Sequence, residues 1–135
     1  MELLRDVALF SACSKRELGH IASLVEEIEV PEGKVLMREG ELGRELFVIV
    51  DGTANVAVGK KKRVARLGPG WTFGEVSLLD RGPRSATVTA HTDMHLLVLT
   101  ARAFSTILEE SPSFSRKILK AMARRLRAAE KVAYR

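Results

Sequence analysis

The sequence has little of what marks a disulfide-stabilised, membrane-spanning or metal-binding protein. Cys13 is the only cysteine among 135 residues, so no intrachain disulfide can form, which suits a reducing compartment. Apolar runs such as residues 96–99 are far too short to cross a bilayer. The three histidines are too few and too scattered for a metal centre, and His91 and His95 flank a predicted turn between strands. We therefore expect no bound metal.

The N-terminus lacks the basic and then apolar pattern of a signal peptide, because Glu2 and Asp6 are acidic. This pattern favours a cytoplasmic protein. Hydrophobic residues make up 46% of the chain and charged residues 29%, which is typical of a soluble globular protein. At 135 residues, the chain is predicted to be a single domain, 1–135, that buries a real core.

The net charge is +5, from 22 basic and 17 acidic residues. The excess lies in residues 60–63, which read Lys-Lys-Lys-Arg, and in the last twenty residues. Such clusters are found in nucleic-acid-binding proteins. A solvated hairpin tip and the polar face of a terminal helix explain the same pattern without a nucleic acid, and we prefer this interpretation.

Local patterns predict one helix followed by many short strands. Ser14 and Glu17 form a capping box ahead of apolar residues with helical spacing, which predicts a helix from about 15 to 26. Short apolar stretches then alternate with turn signals, at 28–30, 35–37, 46–50, 54–58, 64–67, 85–90 and 94–99. Seven or eight strands at this spacing predict a sandwich or barrel.

The C-terminal part is predicted to be helical. Thr100 can cap a helix over about 101–110, and Ser111 with Pro112 can start another that runs to about 130. One face of this last helix carries an apolar stripe, formed by Phe114, Ile118, Ala121, Met122, Leu126 and Ala129. An amphipathic helix of this kind needs a surface to cover its stripe.

Residues 73–86 have the chemistry of a phosphate pocket. Gly74 lets the main chain approach a ligand closely, and residues 76–79 are long enough for one helical turn whose free N–H groups hold an anion. Arg84, brought back by the Gly-Pro turn before it, offers a bidentate fork to two phosphate oxygens. The negative charge of Glu75 would repel the same phosphate. Glu75 therefore needs a hydroxyl donor nearby, and a ribose provides one.

This segment resembles the phosphate-binding cassette of the cyclic nucleotide-binding domain family, found in protein kinase A regulatory subunits, nucleotide-gated channels and catabolite activator proteins. Residues 39–54 resemble the glycine-punctuated barrel core of that family, and residues 7–11 resemble its lead-in. Together the similar segments cover most of residues 7–111.

The resemblance implies a mainly β fold, an antiparallel β-roll or jelly-roll-like barrel with flanking helices. An N-terminal helical segment over about 1–26 precedes the β-roll, which spans 27–99 and contains the cassette 73–86. Hinge and lid helices follow over 100–135. The long terminal helix is then expected to cover the mouth of the cassette, to pair with another copy as a homodimer, or to pack on its own barrel.

The resemblance also assigns roles to the cassette. Arg84 is implied to bind the cyclic phosphate, and Glu75 to accept a hydrogen bond from the ribose 2′-hydroxyl. The predicted nucleotide-binding residues are Phe73, Gly74, Glu75, Val76, Ser77, Arg84, Ser85 and Ala86. Ser85 favours cAMP over cGMP, because cGMP-selective members tend to carry threonine there.

Other residues have two interpretations each. Trp71 stacks on a base or, as we prefer, covers the edge of the core. Phe104 and Leu108 lie where the hinge helix of the family packs on the cassette, so they transmit the binding event or serve ordinary packing. Cys13 is expected to be an incidental or buried thiol.

These features predict a regulatory cyclic-nucleotide sensor and not an enzyme, with cAMP or else cGMP as ligand and no cofactor. Direct DNA binding is not expected, because transcription factors of the family place a helix-turn-helix domain after the long helix and residue 135 leaves no room for one. The alternatives are a non-binding scaffold of the same fold, which would lose Arg84 or Glu75, and a cupin-type barrel enzyme, which would need more histidines. The downstream effector is not encoded in these motifs.

Overall fold

The computed structural model describes residues 10, 13–60, 65–74 and 82–133, with side chains in the last helix described up to residue 127 except at residue 125. Within these ranges the chain forms three helices and eight strands. Their order is α1 Lys15–Leu24, β1 Glu26–Val30, β2 Val35–Met37, β3 Glu45–Asp51, β4 Ala54–Ala57, β5 Ala65–Leu67, β6 Thr72–Phe73, β7 Thr87–Ala90, β8 Met94–Thr100, α2 Ala101–Glu110 and α3 Pro112–Ala133.

The strands form two antiparallel four-stranded sheets, and no closed barrel is seen in the part of the chain that the structure describes. One sheet has the order β1-β8-β3-β6 and the other β2-β7-β4-β5. This arrangement confirms the predicted β-roll with flanking helices. The strand β6 was not predicted from the sequence, because it has two residues and gains its hydrogen bonds only by pairing with β3.

The central strands β3 and β8 are buried on both faces. Phe47, Ile49, Leu96 and Val98 point to the second sheet and share one apolar cluster with residues of β4, β6 and β7. The alternate side chains of both strands, such as Leu46, point to the helices and belong to a second cluster. Since each face meets a different layer, both strands are continuously apolar where a half-exposed strand would alternate.

The second cluster joins the three helices to β3 and β8. Phe114 of α3 lies 6.1 Å from both Phe10 and Phe104, measured between ring centroids. Leu18 and Ile21 of α1 are buried against the same group. These aromatic residues pack in the core, and the start of α3 is part of it.

The helix boundaries follow from local caps. The Ser14 hydroxyl accepts from the Glu17 N–H while the Glu17 carboxylate accepts from the Ser14 N–H, which confirms the capping box. Thr100 and Ser111 likewise accept from the Ala103 and Phe114 N–H groups. The first helix ends at residue 24, earlier than predicted, because β1 begins at residue 26.

None of the helices in the described ranges combines the length and the apolar content that a membrane span requires.

Candidate functional site

Arg84 lies in the segment just before β7 and is fixed to the loop between β2 and β3. Its main-chain N–H donates to the Glu41 carbonyl at 2.8 Å, and its carbonyl accepts from the Gly40 N–H at 2.9 Å. The residue is only 5% exposed. The loop and the segment therefore hold each other in place, although about forty residues separate them in the sequence.

The guanidinium of Arg84 is held by main-chain oxygens. Its Nη1 donates to the Glu45 carbonyl at 3.0 Å and to the Gly74 carbonyl at 3.2 Å. Among the residues that the structure describes, no carboxylate forms an ion pair with it. Burial lowers the pKa of Arg84 and the Glu45 carboxylate opposes this shift, but a guanidinium stays charged at any physiological pH.

A buried positive charge without a paired anion is unfavourable in a protein interior. The two carbonyls satisfy part of the hydrogen-bonding capacity of Arg84 but carry no net charge. An arginine fork has five N–H donors and fits two oxygens of a phosphate or carboxylate. The remaining donors of Arg84 can therefore bind an anion.

Gly74 contributes close packing to this site. It has φ +91°, a conformation that favours glycine, and a Cβ there would lie 2.5 Å from the Glu45 carbonyl oxygen and 2.8 Å from Arg84 Nη1. In the described residues Gly74 thus lies directly against Glu45 and Arg84, and its predicted approach to a ligand stays a prediction.

The structure separates the predicted site residues into three groups. Gly74 and Arg84 are in direct contact, with Ser85 exposed and Ala86 buried beside them. Phe73 is 4% exposed and its ring stacks on Phe47 at 4.8 Å, so its side chain belongs to the core. The predicted ligands at positions 75–77, Glu75, Val76 and Ser77, lie outside the described residues.

Sequence reasoning missed the contribution of the β2–β3 loop to the site. Gly40, Glu41, Gly43 and Glu45 all contact Arg84 through main-chain atoms or lie within van der Waals range of it. Main-chain contacts do not depend on side-chain type, so they leave no residue signature. The glycines at positions 40 and 43 were the available signal, but they were interpreted only as barrel punctuation.

Two aromatic residues near the site, Trp71 and Phe104, were each given two interpretations from the sequence. Trp71 is 50% exposed and lies outside both core clusters, so its role as a cover for the core edge stays a prediction. Phe104 is 2% exposed and packs with Leu108 in the helical cluster, which confirms the core-packing alternative.

The apolar stripe of α3 is divided as well. Phe114 and Ile118 are buried, and Ala121 and Met122 pack partly buried against the helical cluster. Leu126 is 61% exposed, and Leu119, which was outside the predicted stripe, is 67% exposed. One face of α3, up to Met122, therefore packs on its own chain, and Leu119 and Leu126 are exposed beside it.

Glu17 joins α1 to the corner between α2 and α3. Its Oε1 accepts from Lys117 Nζ at 2.6 Å and its Oε2 accepts from Ser111 Oγ at 3.2 Å. Burial acts to raise the pKa of Glu17, but hydrogen bonds from Lys117 and Ser14 outweigh it and lower the pKa from 4.5 to about 2. Sequence analysis identified this residue only as part of a cap.

The thiol next to this corner is not activated. Cys13 is half-buried, and burial, reinforced by the charge of Glu17, raises its pKa to about 11. The thiol therefore stays protonated at neutral pH.

Comparison with known sequences agrees with the geometry. The profile of the cyclic nucleotide-binding domain family matches residues 27–111. Because this match covers more than half of the sequence, the chain belongs to the cyclic nucleotide-binding domain family.

Individual relatives belong to different kinds of regulatory protein. A putative potassium channel protein from Rhodopseudomonas palustris is 36% identical over 86% of this chain and 29% of its own length. The cyclic AMP receptor protein of Thermus thermophilus is 32% identical over 94% of this chain and 61% of its own. The regulatory domain of Toxoplasma gondii protein kinase A, crystallised with cAMP, superimposes with a TM-score of 0.74 at 31% identity, covering 78% of this chain and 42% of that one.

The chain thus spans between 29% and 61% of the length of these two curated relatives. What it shares with them is the cyclic nucleotide-binding domain.

Proposed function

We propose that this chain is a regulatory module that binds cAMP, with Arg84 as the ligand of the cyclic phosphate, and that binding repositions α2 and α3. The observation that carries the proposal is the buried Arg84 guanidinium, which is held by two carbonyls and has no carboxylate partner among the described residues. In this module the nucleotide is bound and released unchanged, so the chain is not an enzyme.

The energy of the phosphate contact supports a measurable affinity. A hydrogen bond to a charged group contributes about 1.5–3 kcal/mol, so a bidentate contact changes a dissociation constant by tenfold or more. Because the guanidinium is already fixed by Glu45 and Gly74, little side-chain entropy is lost when the anion binds.

The choice of cAMP rests on the relatives and on one residue. The Toxoplasma domain was crystallised with cAMP, and the Thermus relative is a cyclic AMP receptor protein. Ser85, directly after Arg84, is exposed and is the type of residue found in many cAMP binders. We assign the ribose contact to Glu75 and the remaining phosphate contacts to N–H groups at Gly74, Val76, Ser77 and Ala86, with cGMP as the weaker ligand.

Two adjacent carbonyls supply a route from the phosphate to the helices. The Glu45 carbonyl accepts from Arg84, and the preceding Arg44 carbonyl accepts from the N–H of Ala101, the first residue of α2, at 2.7 Å. A shift of the guanidinium towards a bound phosphate would therefore act on the 45–46 peptide and, through the adjoining 44–45 peptide, on the start of α2. Ligand binding changes a population only through such differential contacts.

A calorimetric titration of the purified chain with cAMP and cGMP tests the proposal, with Arg84→Leu as the variant. We expect Arg84→Leu to weaken cAMP binding by about tenfold or more while the circular dichroism spectrum is retained. The control is Arg16→Leu, which makes the same charge change at an exposed position on α1.

Each outcome has a clear meaning. An equal loss in both variants would assign the effect to net charge, and an unchanged constant in Arg84→Leu would refute the phosphate role. A wild-type chain that binds neither nucleotide would favour the alternative of a scaffold with the same fold.

The exposed face of α3 that carries Leu119 and Leu126 is proposed as a contact surface for a second copy. Leu119 and Leu126 are exposed and lie seven residues apart, on the same side of the helix. Apolar side chains at heptad spacing are typical of a paired-helix seam, and pairing would cover both.

A further inference from the structure

We infer that Gly43 is a positioning residue for the phosphate-binding arginine. Because residue 43 has no side chain, the Arg84 guanidinium can lie directly on the main chain of the β2–β3 loop, at the place where Glu45 and Gly74 fix it. The inference deepens the proposed function, since it rests on Arg84 being the anion ligand.

The evidence is steric. A Cβ added at Gly43 would lie 2.5 Å from both Cζ and Nη2 of Arg84 and closer still to Nε. Gly43 is not among the glycines with positive φ, so its backbone does not require glycine. The nearest atoms are all in one guanidinium, and the absence of a side chain at position 43 therefore serves Arg84.

Residues of the β2–β3 loop contact Arg84 from its main chain to the end of its side chain. Gly40 and Glu41 pair with its main chain, Gly43 lies against its guanidinium, and Glu45 accepts from its tip. The residues on either side of Gly43 point outwards, since Leu42 is 82% exposed and Arg44 is exposed. The chain thus turns Gly43, which has no side chain, towards the guanidinium of Arg84.

The described residues on the side of the β2–β3 loop hold the guanidinium closely. Arg84 is 5% exposed, its Nη1 donates to two carbonyls, and the backbone of Gly74 lies close enough to Nη1 that it also admits no Cβ. A methyl group at position 43 would displace the fork and break or bend these hydrogen bonds. Ligand contacts of this type need placement within about 0.5 Å, so the loss appears in affinity.

Gly43→Ala is the test, and Gly68→Ala is its matched control. Gly68 also lacks a positive φ, and a Cβ there would have nothing within 4 Å. In calorimetry with cAMP we expect Gly43→Ala to weaken binding about tenfold, equal to about 1.4 kcal/mol, and Gly68→Ala to change it less than about twofold. Equal affinities of Gly43→Ala and wild type would overturn the inference.

A double-mutant cycle shows whether the effect passes through Arg84. In an Arg84→Lys background the planar fork is absent, so adding Gly43→Ala should weaken binding by less than about twofold. The same loss in both backgrounds would mean that the methyl group acts on the loop, which would overturn the inference. If Gly43→Ala folds only together with Arg84→Lys, that rescue supports it, and failure to fold in both backgrounds overturns it.

A second readout does not need a nucleotide. The side-chain Nε–Hε resonance of Arg84 can be assigned in ¹⁵N-labelled protein by its loss in Arg84→Lys. We expect Gly43→Ala to shift this resonance and Gly68→Ala to leave it in place; an unmoved resonance in Gly43→Ala would overturn the inference. A wild-type chain that fails to bind cAMP would instead reject the proposed function, and this resonance would still decide the role of Gly43.

Discussion

Replacing Glu17 with glutamine removes the negative charge at the point where α1 meets the corner between α2 and α3. The carboxylate has a side chain only 15% exposed and receives the Lys117 ammonium at 2.6 Å. Its pKa is lowered from 4.5 to about 2, which corresponds to an upper limit of about 3 kcal/mol for the stabilisation from its charged form. Glutamine keeps the shape but leaves Lys117 unpaired, so we expect a loss of about 2 kcal/mol at pH 7.

The stability difference between wild type and Glu17→Gln should decrease as the pH falls. A carboxylate with a folded-state pKa below its unfolded value contributes stability that is complete above the unfolded pKa and is lost as pH falls towards the folded one. The difference between wild type and Glu17→Gln should therefore be constant above pH 5, shrink below pH 4.5 and vanish towards pH 2.

Urea unfolding followed by circular dichroism, repeated between pH 7 and pH 3, measures the effect. Glu109→Gln is the control, since Glu109 is exposed on α2 and should change the unfolding free energy by less than about 0.5 kcal/mol. A difference that stays the same at every pH would refute the reasoning, because it would not depend on the charge of Glu17.

The remaining predictions concern the ribose and α3. If Glu75 reads the ribose, 2′-deoxy-cAMP should bind the wild type more weakly but lose little further affinity when Glu75 becomes Gln; full additivity in that cycle would reject the contact. Deletion after residue 111 would expose the core, because Phe114 is fully buried, so a chain of residues 1–123 is the proper test of a lid. It should fold but bind cAMP more weakly, and unchanged affinity would exclude the lid. Leu126→Glu should reduce self-association in sedimentation, with Val58→Glu as an exposed apolar control; a wild-type chain that stays monomeric at high concentration would exclude the seam.

The sequence by itself determined the elements whose signals are local. Ser14, Thr100 and Ser111 cap the predicted helices because a cap acts on an N–H group only a few residues away. The strands other than β6 were predicted for a similar reason, since apolar stretches between turn residues fix their position along the chain. The family was also recognisable, because its cassette is contiguous and carries its charged residues at fixed spacing.

Only the tertiary structure decided how distant segments meet. Glu17 and Lys117 are one hundred residues apart, and nothing in the local pattern of either distinguishes an interhelical ion pair from two solvated charges. The burial of β3 and β8 on both faces, the exposure of Trp71 and the division of the α3 stripe all depend on which layer covers each side chain. Gly43 is the clearest example. A side chain there would collide with Arg84, and only the fold brings these two residues together.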